Sequence, residues 1–391
     1  MRADSIRPNA GVFTSAIHVV LMDPRVHEHA EVLVDWSARI EPGDDVVLAV
    51  EEDAHELAVA VAEQLGAVGA NLLATYESSE VSRAYVKAHD GGFEAGAHEL
   101  AMLQEADAFL ALGGGRNTTA KADVGGETQQ AHSRAREAIR EARMATDWVK
   151  TVHPTRSLAQ QAGMAFEEYQ DFVYDAVLRN WEALAEEMAE VKEVLDEGRE
   201  VRLLKDRDDQ PTTDLWMSIE GRTAVNSAAS VAYDSHNLPS GEVFTAPYDT
   251  EGTVFFDVPM TINDRRVRDV HLRFEDGEVV EFAAEQGEEV LEAELDTDAG
   301  ARRLGELGIG MNRGIDRFTD NILFDEKMGD TVHLALGRAY DANLPDGETG
   351  NQSAIHTDMI ADVSQDSRIE VDGETIQRDG VFWFEDGFGE A

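Results

Sequence analysis

Apolar residues along the first half of the chain switch between two periods. From His29 to Ile40 the residues Val32, Leu33, Trp36 and Ile40 recur at helical spacing, and Glu41-Pro-Gly-Asp44 then stops the helix ahead of Val46-Val-Leu-Ala-Val50, the unbroken apolar run of a buried strand. His55 to Val68 places Leu57, Val61 and Leu65 on one helical face and ends at Gly69 before the strand Asn71 to Thr75, which predicts a βαβ unit. A third strand, Ala108 to Leu112, runs into Gly113-Gly-Gly-Arg-Asn-Thr-Thr119. Ala131 to Met144 reads as a helix with arginine and glutamate three and four apart, the pattern of a solvated face. Trp148 to His153 reads as a strand halted by Pro154, and Ser157 opens a further helix. Phe166 to Glu197 keeps one amphipathic period throughout, with Tyr169, Phe172, Trp181 and Leu184 inward, and predicts a single long helix.

Beyond Gly198 the texture changes to short alternating runs, among them Val201 to Leu204, Leu215 to Ile219, Thr253 to Val258, Val267 to Phe274 and Glu278 to Phe282. Asp276-Gly277 between the last two is a hairpin signal. The fold class expected is α/β, α+β overall. An N-terminal α/β domain over residues 1–198 precedes a mainly antiparallel β domain over residues 199–391, curved or barrel-like, with helices near 286–307 and 319–328. The residues before about 25 read as a loosely held lead-in.

Charge adds the next constraint. The 391 residues carry 79 acids against 33 bases, a formal charge of −46, and only six of the bases are lysines. Such a surface repels itself unless salt screens it, over ~3 Å at 1 M, so a halophilic host is expected. It also repels phosphate backbones and anionic membranes, which excludes nucleic acid and membrane as primary partners. The absence of cysteine excludes disulfides, thiol catalysis and thiolate metal sites. The apolar stretch from Val12 to Met22 is interrupted by His18 and is too short to span a bilayer, so a cytoplasmic location is expected.

With acids this common, a single carboxylate signals nothing without context. The turn from Gly113 to Thr119 has backbone amides able to cradle an anion, but no Gly-Lys-Ser/Thr ending follows, and a plain strand-end loop is the better reading. His356 and Asp358 project from the same face if their segment is extended, and Ile355, Met359 and Ile360 mark that segment as buried. A buried carboxylate requires a partner, and a metal ion is one. His333 lies in the apolar run Thr331 to Leu336 and by itself reads as a core imidazole. Glu306 is expected on a helix from Ala299 to Leu307, and Glu242 follows the turn Pro239-Ser-Gly241 at the mouth of the sheet.

Taken in order, Asn237-Leu-Pro-Ser-Gly-Glu-Val-Phe-Thr-Ala-Pro247, Leu307-Gly-Ile-Gly-Met-Asn312, Leu323-Phe-Asp-Glu-Lys327, His333-Leu-Ala-Leu-Gly337 and His356-Thr-Asp358 resemble the M29 family of metalloaminopeptidases. Leu33-Val-Asp-Trp-Ser37 with Glu41-Pro-Gly-Asp44, and Pro154 to Tyr169, are similar to that family's N-terminal landmarks, so the resemblance runs over nearly the whole chain. It implies an exopeptidase with two divalent ions (Zn, Co, Mn or Mg), usually a homodimer, acting on peptides. By motif it assigns Glu242, Glu306, Glu326, His333, His356 and Asp358 as metal ligands and Tyr340 as the active-site tyrosine; two cations need a bridging carboxylate, and Glu306 is taken as that bridge. Glu326 stands farther from His333 than the family's spacing. The reaction implied is metal-assisted attack of water on the first peptide bond, with Tyr340 donating to the oxyanion. The alternatives are another metal-dependent hydrolase, an amidase or a phosphoesterase, and a noncatalytic metal-binding protein.

Overall fold

The chain enters through a helix that starts earlier than its apolar period suggests. In the computed structural model, which describes residues 22–206, 213–262 and 265–389, the helix Pro24–Glu31 continues as the π-helical turn Val32–Ser37. Asp23 accepts a hydrogen bond from the Arg25 amide and Pro24 occupies the first turn, so the Asp-Pro pair initiates the helix rather than breaking the chain. The lead-in of residues 1–21, with the apolar run from Val12, lies outside the described residues.

Four parallel strands follow in the spatial order Asn71–Glu77, Asp45–Glu51, Ala108–Gly113, Asp147–Val152, and the helix His55–Val68 is the first crossover. A fifth strand, Asn237–Leu238, joins the Asp147–Val152 edge, so the chain beyond Gly198 returns to complete this sheet. Two expected helices are broken. The first becomes Gly126–Ala135 and Glu137–Met144, parted at Arg136. The long one becomes Phe166–Val177 and Trp181–Glu197. Asn180 caps the second of these through the Ala183 amide, while the Trp181 indole donates to the Val177 carbonyl across the break. Apolar periodicity runs straight through that corner because both helices bury the same side, which hides the break from the pattern.

The remaining strands form two antiparallel sheets rather than a barrel. One has nine strands, including Tyr248–Phe256, Arg265–Glu275 and Glu278–Gln286, and its Asp276-Gly277 hairpin has φ of 52° and 76°, as a type I′ turn requires. The other has five, in the order His356–Asp362, Thr331–Gly337, Leu304–Gly310, Glu242–Thr245, Val225–Ser227. The helix expected near 286–307 is confined to Glu288–Leu295, and the one near 319–328 to Ile322–Asp325. Among the described residues no helix is long and apolar enough to cross a membrane.

Candidate metal centre

Glu306 lies on a strand, not on a helix, and this correction brings the candidate residues together. Leu304–Gly310 is buried along its whole length in the middle of the five-stranded sheet. Across its ladders Glu306 pairs with Ala335, Gly308 with His333 and Gly310 with Glu242, while Ala335 and Gly337 pair with Asp358 and His356. Directly paired residues share a face, and so do residues two apart on one strand. Glu242, Glu306, His333, His356 and Asp358 therefore rise from one face, with glycine and Ala335 between them.

The glycines are there for room. A Cβ on Gly308 would lie 1.9 Å from the His333 ring, so any side chain at 308 evicts the imidazole. The interstrand contact demands glycine here, although nothing next to it in the chain reveals that need.

Glu306 divides its two oxygens between two pairs of neighbours. Its Oε1 accepts from His333 Nε2 at 2.9 Å, and the same Nε2 is 3.7 Å from Glu242 Oε2. Its Oε2 is 3.9 Å from His356 Nε2, which is 3.5 Å from Asp358 Oδ1. Three carboxylate oxygens, Glu242 Oε2, Glu306 Oε2 and Asp358 Oδ1, are buried without a hydrogen-bond donor. Glu306, His356 and Asp358 offer ligand atoms that all fall within 4.8 Å of one another. Like charges ~5 Å apart repel by about 3 kcal/mol at an effective dielectric of ~20, so this cluster requires positive charge. The donor set, oxygen and imidazole without sulfur, fits a divalent cation.

The titrations agree in direction. Burial raises the Glu242 carboxyl, against the attraction of Lys327 and His333, and the charges of Glu306 and Asp358 raise it further. Burial by itself pushes His333 down, but the hydrogen bond to Glu306 and the charges of Glu242, Glu306 and Asp358 overcome it and hold the imidazole at about 9. The carboxylates that invite a cation thus keep a proton on His333.

Tyr340 stands at the rim, 43% exposed, with its ring centroid 4.8 Å from that of His356. Burial of the phenol, followed by the charges of Glu306, Asp358 and Glu242, raises its pKa and keeps the hydroxyl protonated. Glu326 is placed differently from the other five. It follows the short helix Ile322–Asp325 and lies against the ammonium of Lys327. Lys327 is fully buried and also 3.5 Å from Glu242 Oε1. The sequence reading passed over it. The available signal was a lysine beside an apolar, glycine-rich stretch in a chain with only six.

The Gly113 to Thr119 turn is already met by the chain's own acids at two of its amides. Gly114 N donates to Glu51 Oε2 at 2.8 Å and Arg116 N to Glu52 Oε2 at 3.3 Å, so the chain's own carboxylates take the amides an anion would need. This removes the one feature that favoured a phosphoesterase.

Comparison with known proteins matches the geometry to a family. The thermophilic metalloprotease family M29 matches residues 22–388. Aminopeptidase T of Thermus thermophilus is 29% identical over 92% of this chain and 94% of its own length. Aminopeptidase 2 of Geobacillus stearothermophilus is 37% identical over 41% of this chain, an alignment that spans 43% of that protein. The solved structure of wild-type AmpT from Thermus thermophilus superposes with a TM-score of 0.79 at 27% identity, covering 92% of this chain and 99% of that one. The chain belongs to the M29 family of metalloproteases.

Proposed function

We propose that the protein is a metallo-aminopeptidase that removes N-terminal residues from peptides using two divalent ions (Zn, Co, Mn or Mg) held by the five-residue cluster. Metal dependence and the aminopeptidase class rest on family membership and on the activities the relatives are named for. The two-ion reading rests on one observation, the division of Glu306. Oε1 bonds His333, which Glu242 flanks, while Oε2 lies toward His356, which Asp358 flanks, the arrangement of a carboxylate shared by two neighbouring sites. Glu326 and Lys327 then form a charged pair at the edge of the Glu242 side.

Divalent ions, when bound there, supply Lewis-acid polarisation of the scissile carbonyl and an acidified water. The protein's own groups do the rest. A cluster carboxylate, with Glu306 the central one, takes the proton that the attacking water gives up. Tyr340, kept protonated by its surroundings, donates a hydrogen bond to the oxyanion that develops on the carbonyl. Another acid of the cluster anchors the free α-amine of the peptide, which selects the chain end.

A homodimer belongs to the same reading. The outer strand Asn71–Glu77 and its neighbouring helix expose Leu72, Leu73, Tyr76, Val81 and Tyr85, an apolar patch that suits a second copy. So do a cytoplasmic location, high-salt adaptation, and a division of labour between residues 1–198 and a metal-bearing 199–391. The deciding assay compares aminoacyl-anilides with phosphomonoesters across added divalent ions, with metal content determined on the same samples. Anilide hydrolysis that depends on the ion is expected. Hydrolysis of the phosphomonoester alone would reject the peptidase.

A further inference from the structure

The parallel sheet carries a cavity rich in basic side chains. Its strand order diverges on either side of Asp45–Glu51, with Asn71–Glu77 on one flank and Ala108–Gly113 on the other. In open sheets of this kind the crevice outside the carboxyl ends of the strands, at the point where the order diverges, is where ligands bind. A cavity of about 440 Å³ lies over one face of the sheet beside that point and reaches its carboxyl edge at Glu51, Glu77 and Gly113. Its floor is one sheet face, formed by Ala49 and Glu51, Thr75 and Glu77, Phe109 and Ala111, and its walls come from the helices Ala97–Gln104 and Glu137–Met144. The volume suits a small organic molecule.

Its charge runs against everything else in the chain. Lys121, Arg136, Arg140, Arg143 and Lys150 line the cavity. Arg136 is paired with Glu99, but among the described residues no acid lies within ion-pair distance of Lys121, Arg140, Arg143 or Lys150. Glu51, Glu77 and Glu99 line the same cavity, so its five bases outnumber its acids in a chain that has 79 acids for 33 bases, a local inversion. The Arg143 guanidinium packs over Phe109 and Trp148, with Nε buried and no acceptor. Burial, then the neighbouring Arg140 and Arg136, lowers its pKa, and burial lowers that of Lys150. Glu77 opposes the shift at Arg143 and Glu51 that at Lys150, but neither carboxylate bonds the buried Arg143 Nε, and an anion in the cavity would supply that missing acceptor.

We propose that this crevice binds a small organic phosphate, with Arg140, Arg143 and Lys150 holding the phosphate group and Phe109, Met102 and Leu103 receiving the apolar body. The occupied amides at Gly114 and Arg116 play no part, and the inference is independent of the peptidase reading.

Phenyl phosphate is the probe, titrated into the intact, metal-loaded protein by calorimetry and by tryptophan fluorescence. Trp148 serves as a local reporter because the Arg143 guanidinium lies 5.4 Å from its ring. Saturable binding is expected, weakened roughly tenfold or more for each guanidinium removed in Arg140→Gln and Arg140→Gln/Arg143→Gln. Arg140 is exposed on its helix and glutamine keeps helical propensity, so the single variant stays folded, as circular dichroism would verify. Glu306→Gln should bind the probe as the parent does, which separates this site from phosphate captured at the metals. Three outcomes would each overturn the proposal: no saturable binding, equal affinity in the arginine variants, or benzyl alcohol binding as tightly as phenyl phosphate.

Discussion

On the five-stranded antiparallel sheet, three buried carboxylate oxygens lie without donors beside a single buried lysine; in the crevice of the parallel sheet, four cations lie without acids within pairing distance. Sign is therefore a poor guide in this chain and compensation a good one. On the high-salt reading proposed above, exposed acids are screened within a few ångströms and need no ligand. A buried polar atom is not screened, so the donorless carboxylate oxygens on one sheet and the Arg143 Nε in the crevice each call for a partner of the other sign.

The largest effect expected tests the acidic side. Glu306→Gln removes the carboxylate shared by both pairs of neighbours, so anilide turnover should fall by about 10³-fold or more, with loss of bound divalent ion in the same preparation. A variant that keeps both its ion and its turnover would leave the carboxylates as a structural cluster and break the comparison. Next is Tyr340→Phe, which leaves every ligand in place. Loss of one oxyanion donor predicts about 10²-fold in kcat, with KM and metal content little changed. Equal loss in metal content would show instead that the tyrosine supports His356 through ring packing.

Legibility in the sequence follows the range of each interaction. The strands and first crossover of the parallel sheet were readable from local punctuation, as at Glu41-Pro-Gly-Asp44 and Gly69, because turn chemistry is set by neighbours in the chain. His356 and Asp358 were readable as a same-face pair because a strand alternates. Glu306 lies on a strand and not on the helix expected from Ala299 to Leu307, and the reason for Gly308, an imidazole from the adjacent strand, is a contact between residues far apart in sequence. Lys327 escaped for the same reason, since its partners include Glu242 across the fold. The cationic crevice escaped because its bases come from the helix Glu137–Met144, the turn positions Lys121 and Arg136 and the strand Asp147–Val152, and the arginines of the helical stretch interleave with glutamate as they would on a solvated face.

The same contrast applies to glycine, with a smaller effect. Gly308→Ala should destabilise by about 1–3 kcal/mol, because His333 must leave its place, and should weaken metal binding with it. Gly66, inside the helix His55–Val68, has nothing within 4 Å of an added Cβ. Gly66→Ala should therefore raise stability, by roughly 0.5–1 kcal/mol. Denaturant melts of the two variants decide the matter, and a neutral Gly308→Ala would mean that the register across Leu304–Gly310 has more room than the ladder gives it.

The last comparison sets the two sheets apart by acid. His29 is fully buried and shares a 2.7 Å hydrogen bond with Thr151 Oγ1 under the parallel sheet; burial, reinforced by His153, lowers its pKa to about 3. Burial likewise lowers His153 to about 4. An unfolded imidazole takes a proton near pH 6.5 that the folded one refuses, so this stability is complete above pH 6.5 and drains as pH falls toward 3. Each residue contributes at most about 1.4 kcal/mol per pH unit in that window. Replacing His29 with glutamine removes one of the two protons from the linkage. Thermal melts between pH 7 and 5 should then show a shallower acid slope than the parent, with the two converging above pH 6.5 apart from a constant packing offset. Identical slopes would mean that His29 takes up its proton without leaving the fold, and would move the acid-sensitive point of the molecule away from the parallel sheet.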